Sequence, residues 1–217
     1  MITFDIETIP TNNIDVIAKL GKSIRPPGNI KKPESIKEWM DLNYQSLLDE
    51  LVKKTSFDGA YGRIACIAWS DGQYATESTL SNDDEAEAIN KFYDFLHFAE
   101  AGQTFCGHNL TGFDLPFLKH RSIVLGIKPP KCLLNAMNAK PWDPCIADTM
   151  LMWSQDRDKR ISMDNLCSIL GIEGKGDFDG SMVADEWKNG DRNKVIDYCK
   201  EDVERTIKIY NRVTFAA

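Results

Sequence analysis

The chain lacks any apolar run near the ~20 consecutive residues a membrane span requires. Its opening, Met1-Ile2-Thr3-Phe4-Asp5, lacks the basic n-region and apolar h-region of a signal peptide. The expectation is a cytoplasmic protein with no membrane partner. Its six cysteines, Cys66, Cys106, Cys132, Cys145, Cys167 and Cys199, form no Cys-x-x-Cys pair. That spacing argues against a zinc ribbon and a disulfide framework, and for free thiols in a reducing compartment. Internal repeats and low-complexity segments are missing too. Positive charge is in deficit, with 26 Lys and Arg against 33 Asp and Glu for a net −7. A basic coat for nonspecific coverage of nucleic acid is thereby excluded. An enzyme that handles nucleic acid through metal ions is not.

What is there suits one domain over residues 1–217, long enough to bury roughly 70% of its unfolded surface. Alternation over Met1–Glu7 predicts a strand. A segment rich in Pro, Gly and Lys follows around Arg25-Pro26-Pro27-Gly28-Asn29. Ile36, Trp39, Met40, Leu47, Leu48 and Leu51 then predict a helix over Ser35–Lys53. Arg63–Trp69 and Gln73–Ser78 predict a hairpin turned at Ser70-Asp71-Gly72. A helix over Asp83–Ala99, capped by Ser81 or Asn82, precedes a short strand at Thr104–Cys106. Further helices are expected over Leu115–Leu125, Ala147–Trp153, Ser162–Leu170, Met182–Lys188 and Arg192–Val213. Strands early and helices late suit an α/β or α+β domain.

Three acidic elements stand out. Asp5 and Glu7 lie two apart on an otherwise apolar strand, so both side chains leave one face. Two carboxylates there repel each other, and a divalent cation relieves the repulsion. Asp-x-Glu also occurs at Asp83/Glu85 and Asp202/Glu204, so the pair alone is weak. The second element runs from Gly107-His108-Asn109 through Phe113-Asp114, where a strand ends, glycines permit a turn and a helix starts. Helix capping by itself would explain Asp114. In the third, Tyr198 and Asp202 are four apart on the last helix and project roughly 40° apart. No other tyrosine has an Asp four residues later.

Phe4-Asp5-Ile6-Glu7-Thr8, Asn109 to Asp114 and Tyr198 to Asp202 resemble, in order, the exonuclease motifs of the tyrosine branch of the DEDD superfamily. The resemblance is to the 3′–5′ proofreading exonuclease domain of family B DNA polymerases and its stand-alone relatives, and it spans residue 4 to about 213. The histidine branch would place His where Asp197 stands. The resemblance implies an α/β, ribonuclease-H-like fold, a mixed five-stranded sheet flanked by helices. It implies a 3′–5′ exonuclease that uses two divalent ions, Mg²⁺ or Mn²⁺, on single-stranded DNA and releases nucleoside 5′-monophosphates. Asp5, Glu7, Asp114 and Asp202 would be catalytic and hold the ions, with Tyr198 orienting the water. Thr8, Asn109 and Phe113 would meet the substrate.

The same site on RNA, or a nucleic-acid-binding module active only with a partner such as a replication or repair protein, are the alternatives. A basic loop-helix insertion at about 10–60 carries Lys19, Lys22, Arg25, Lys31 and Lys32 with no intervening acid. It either grips the substrate backbone or is a solvated flap. Arg157, Lys159 and Arg160 carry the same two readings, and Lys175 in the Gly174–Gly180 loop either touches substrate phosphate or belongs to a plain turn.

Overall fold

A computed structural model of the chain describes residues 1–72, 75–79, 84–98, 102–154 and 159–216. The first strand, β1, runs Ile2–Ile9. After it come helices α1 (Ile14–Gly21) and α2 (Pro33–Lys54), with a 3-10 turn at Thr55–Phe57. Strands β2 (Arg63–Ser70) and β3 (Thr76–Thr79) lead to helix α3 (Glu85–His97) and strand β4 (Phe105–Gly107). Helices α4 (Asp114–Leu125) and α5 (Lys131–Asn138) precede strand β5 (Ile146–Asp148). Helices α6 (Thr149–Ser154), α7 (Met163–Leu170), α8 (Val183–Asn189) and α9 (Arg192–Val213) close the chain.

The five strands form one sheet in the order β3-β2-β1-β4-β5. β2 is antiparallel to β1 and β3, whereas β4 is parallel to β1 and β5, so the sheet is mixed. Strand β1 lies at its centre and its alternation splits the core. Ile2, Phe4 and Ile6 pack with Phe92, Leu96, Phe105 and Leu118. Ile9 packs with Ala65, Ala68, Val195 and Cys199 beneath α9. Burying a side chain such as Phe4, 1% exposed, is worth ~1.5–3 kcal/mol. These two layers hold β1 rigidly from both sides.

Local differences from the sequence reading have physical causes. Ala147 and Asp148 end strand β5 and are not helical; the helix begins at Thr149. The apolar run Met150-Leu151-Met152-Trp153 belongs to α6 and masks a strand too short to show a period of its own. Helix α3 starts at Glu85, capped by Asp84, whose carboxylate accepts from the Ala86 and Glu87 N–H groups. Ser81 and Asn82 lie outside the described residues, as do Gln73 and Tyr74 of the expected second hairpin strand. Helices α1 and α5 escape the periodicity reading, although Asn13 caps α1 in the usual way. Among the described residues no helix is long and apolar enough to cross a membrane.

Candidate active site

Asp5 and Glu7 leave β1 on the face that α9 covers, and α9 brings Asp202 to meet them. Ligand oxygens of Asp5, Glu7 and Asp202 lie within 4.8 Å of one another. The chain between Glu7 and Asp202 is nearly the whole fold, so sheet and helix rigidity set this geometry, not local sequence. A register shift between Glu7 and Thr8 marks where β1 irregularly leaves its ladder with β2. Past that point Thr8 turns its hydroxyl to donate to the Ser56 carbonyl at 2.7 Å.

Asp114 opens α4 and is 3% exposed. It accepts from the Ile6 N–H at 3.2 Å, which ties it to the acidic strand. The turn before it is unusual. Asn109 has φ 63°, and a Cβ on Gly112 would meet the Asn109 side-chain oxygen at 2.3 Å, so a larger residue there would force the Asn109 side chain aside. Asp148, on β5, holds this turn by accepting from the Asn109 N–H at 3.1 Å, the Thr111 N–H at 2.9 Å and the Thr111 hydroxyl at 2.9 Å. His108 spends both ring nitrogens at 3.0 Å, one on Thr149 and one on the Ile161 carbonyl. Burial lowers its pKa. Phe113 is half-buried against the core, its ring 5.6 Å from Phe117. Arg160 lines a shallow recess beside Asn109, Thr111 and Gly112.

Tyr198 and Asp202 sit on one side of α9, 5% and 3% exposed. The Phe178 ring stands edge-on to Tyr198, with centroids 5.0 Å apart. The Lys175 ammonium donates to the Tyr198 hydroxyl at 2.6 Å and to Asp202 Oδ2. Arg205 donates to Asp202 Oδ1 at 2.9 Å. Cys199 places its thiol 3.5 Å from Asp5 Oδ2.

Electrostatics follow from this packing. Burial, then the neighbouring Asp202 charge, pushes Asp5 up to about 7. Glu7 is raised well above its usual value by burial and then by Asp5. Asp114 is raised for the same two reasons. Burial also raises Tyr198, so its hydroxyl stays protonated at neutral pH. Burial opposes the Lys175 charge, but Asp202 and Tyr198 outweigh it and its pKa is raised. Carboxylate oxygens gathered in this way, and destabilised by each other, fit a divalent cation of the Mg²⁺ or Mn²⁺ kind.

The structure therefore gathers Asp5, Glu7 and Asp202 into one cluster, with Asp114 touching the same strand and Tyr198 alongside. Thr8 and Phe113 have side chains engaged with the protein itself, and Asn109 is held through its backbone. Sequence reasoning missed Asp148, hidden in an expected helix, and Arg205, whose spacing three after Asp202 and four after Glu201 was the available clue. The five basic residues between Lys19 and Lys32 are exposed. Arg157 lies outside the described residues.

Residues 61–217 match the model of a family described as a predicted 3′–5′ exonuclease related to the exonuclease domain of PolB. The matched part holds Asp114, Tyr198 and Asp202 but begins after Asp5 and Glu7. No curated protein matches the chain. In three dimensions it is similar to the family B DNA polymerase of the hyperthermophilic archaeon Pyrobaculum calidifontis, with a TM-score of 0.59 and 14% identity. That likeness covers 98% of this chain and 24% of the polymerase, so the chain spans about a quarter of the polymerase's length. At such identity it shows the fold, a mixed sheet flanked by helices of the ribonuclease-H-like kind.

Proposed function

The chain belongs to the family of predicted 3′–5′ exonucleases related to the exonuclease domain of PolB, and from that membership we propose that it removes nucleoside 5′-monophosphates from the 3′ end of single-stranded DNA. The observation that carries this reading is the convergence of Asp5, Glu7 and Asp202 within 4.8 Å, from strand and helix at opposite ends of the chain. Asp5, Glu7 and Asp202 would hold one divalent ion, and Asp5 with Asp114 a second. Mg²⁺ or Mn²⁺ bound there supplies an acidified water and offsets charge on the leaving oxygen.

The protein's own groups do the rest. Tyr198, kept protonated by burial, orients the attacking water by a hydrogen bond and does not act as its base. Lys175 holds the Tyr198 hydroxyl in place and stands where a substrate phosphate would pass. The backbone of Thr8, its side chain being tied to Ser56, faces the terminal sugar. Asn109, held at positive φ, and Phe113 frame the other wall, with Arg160 near enough to meet a phosphate. The exposed basic segment of residues 19–32 offers a further backbone contact. Residues 1–217 act as one exonuclease unit in this reading, with the α1–α2 arm as its insertion.

The test is digestion of a 5′-labelled single-stranded DNA oligonucleotide with Mg²⁺ or Mn²⁺, beside a chelator control and Asp5→Ala. A metal-dependent ladder that shortens from the 3′ end and vanishes in the variant is the expected result. Cutting of a circular single strand would overturn the exonuclease reading. Consumption of the matched RNA in place of DNA would reassign the substrate.

A further inference from the structure

Both oxygens of Asp202 are already engaged by cationic side chains, and the two cations are held very differently. Arg205 donates to Oδ1 at 2.9 Å, to the Gly174 carbonyl at 2.9 Å, to Glu201 at 2.7 Å and to the Glu173 carbonyl at 3.4 Å. Its side chain is 9% exposed, and so many fixed partners leave it one position. Lys175, on Oδ2, has a side chain 19% exposed on a flexible four-carbon stem. Its other contact is the Tyr198 hydroxyl at 2.6 Å, with the ammonium 4.6 Å from the centre of that ring.

The loop beneath Lys175 is anchored through its backbone, whereas the side chain is held only at its ammonium. Arg205 holds the carbonyls of Glu173 and Gly174, and Asp164 accepts from the Lys175 N–H at 3.2 Å. Gly174 lies so close to Asp164 that a Cβ there would meet its carboxylate at 2.8 Å, and Gly176 takes φ +66°. The backbone is thus fixed at the rim of the acidic cluster, while the ammonium can swing about it.

We propose that Lys175 is an exchangeable internal counter-ion, which neutralises the acidic cluster through Asp202 Oδ2 when no divalent ion is bound and yields that oxygen when one arrives. This rests on the proposed reading of the cluster as a divalent-cation site and adds how that site is regulated. An ammonium and a divalent ion sharing one carboxylate oxygen repel each other. Arg205 cannot withdraw without releasing the loop, so Lys175 is the group that moves. The Tyr198 hydroxyl remains within its reach, which keeps the displaced ammonium at the edge of the site.

By linkage, a cation that must displace Lys175 binds better when Lys175 is gone. The experiment is calorimetric titration of the metal-stripped full chain with Mn²⁺, comparing wild type with Lys175→Met. The variant is expected to bind Mn²⁺ about 5-fold tighter or more. A second readout needs no variant: acetylation of the Lys175 amine, followed by peptide mass spectrometry, should quicken on adding Mg²⁺ relative to exposed Lys128. Equal or weaker Mn²⁺ binding by Lys175→Met, or labelling that Mg²⁺ leaves unchanged, overturns the proposal. The labelling arm decides even if the variant does not fold. Wild type that neither binds Mn²⁺ nor degrades an oligonucleotide would sink the underlying site reading. Wild type that does both without the Lys175 effects would sink only this inference.

Discussion

Two groups of acids, one buried at Glu85 and one half-buried at Asp5 and Glu7, are treated in opposite ways among the described residues. Glu85, at the start of α3, receives the Arg121 guanidinium through two bonds of 2.9 and 2.8 Å and the Ile64 N–H at 2.8 Å. Arg121 also donates to the Gly59 carbonyl at 3.2 Å. This pair ties α3, β2, α4 and the turn at Gly59 together, with its charges met on every side. At Asp5 and Glu7 the opposite holds: they converge with Asp202, but Lys175 and Arg205 both pair with Asp202, and Asp5 Oδ2 meets only the weak Cys199 thiol donor. A compensated buried acid builds the fold. A cluster of three acids whose two cations both sit on one of them is a poor structural choice and a good place for a further cation.

The sharpest way to test that contrast is to neutralise one acid from each group. Asp5→Asn should cut turnover of a 3′ end by roughly 1,000-fold or more, which is ~4 kcal/mol of transition-state stabilisation. Thermal unfolding in chelator should show the variant as stable as wild type or more so, because a repelling charge has been removed. A large loss of stability there, or turnover near wild type, would break the distinction from its catalytic side. Glu85→Gln is the mirror image. It leaves Arg121 buried without its counter-charge, for which about 3–5 kcal/mol of stability should be lost. Oligonucleotide turnover per folded molecule should stay within a factor of two or so of wild type, a change of under ~0.5 kcal/mol.

Why one group was legible in the sequence and the other was not follows from distance along the chain. Asp5 with Glu7, the Asn109 to Asp114 turn, and Tyr198 with Asp202 are each local patterns, so spacing alone marks them. Their order then carried the family likeness and, with it, the sheet. Glu85 and Arg121 meet across 36 residues, and neither has a local pattern that announces the other. Asp148 was lost for another reason. Strand β5 is three residues long and runs straight into an apolar helix, so periodicity saw one element where there are two. Helix α1 was hidden inside a segment whose Pro, Gly and Lys content suggested a loop, although its Asn13 cap lay in plain view.

Asp148 gives an intermediate case, a buried acid whose partners are backbone N–H groups and a hydroxyl rather than a cation. Asp148→Asn replaces a carboxylate oxygen with a donor that faces donors, so the turn at 109–112 should loosen. The expected cost is ~1–3 kcal/mol of stability. Turnover should fall about 10-fold through displacement of Asp114, with the Mn²⁺ affinity of the chain reduced to match. If turnover falls while Mn²⁺ binding is untouched, Asp148 acts on the substrate wall through Asn109, not on the acids.

The gentlest effect is one of pH, and its sign distinguishes the two groups. Asp5 has a folded pKa of about 7 against an ordinary 3.8, and Glu7 and Asp114 are shifted upward as well. Between those values the folded, ion-free chain holds protons that the unfolded chain has lost, so stability falls as pH rises. The contribution is whole below about pH 4 and is gone once pH has passed through about 7. Glu50, Asp179 and Glu186, all held below their usual values by hydrogen bonds, pull the other way at the acid end. The difference between wild type and Asp5→Asn cancels their contribution. Melting both proteins in chelator at pH 5, 6 and 7 should show Asp5→Asn gaining on wild type as pH rises. Saturating Mg²⁺ should erase that gain, because the ion then supplies the charge that the cluster lacks. Parallel curves in chelator would mean that Asp5 is already compensated, and the acidic cluster would then belong with Glu85 and Arg121 as part of the framework.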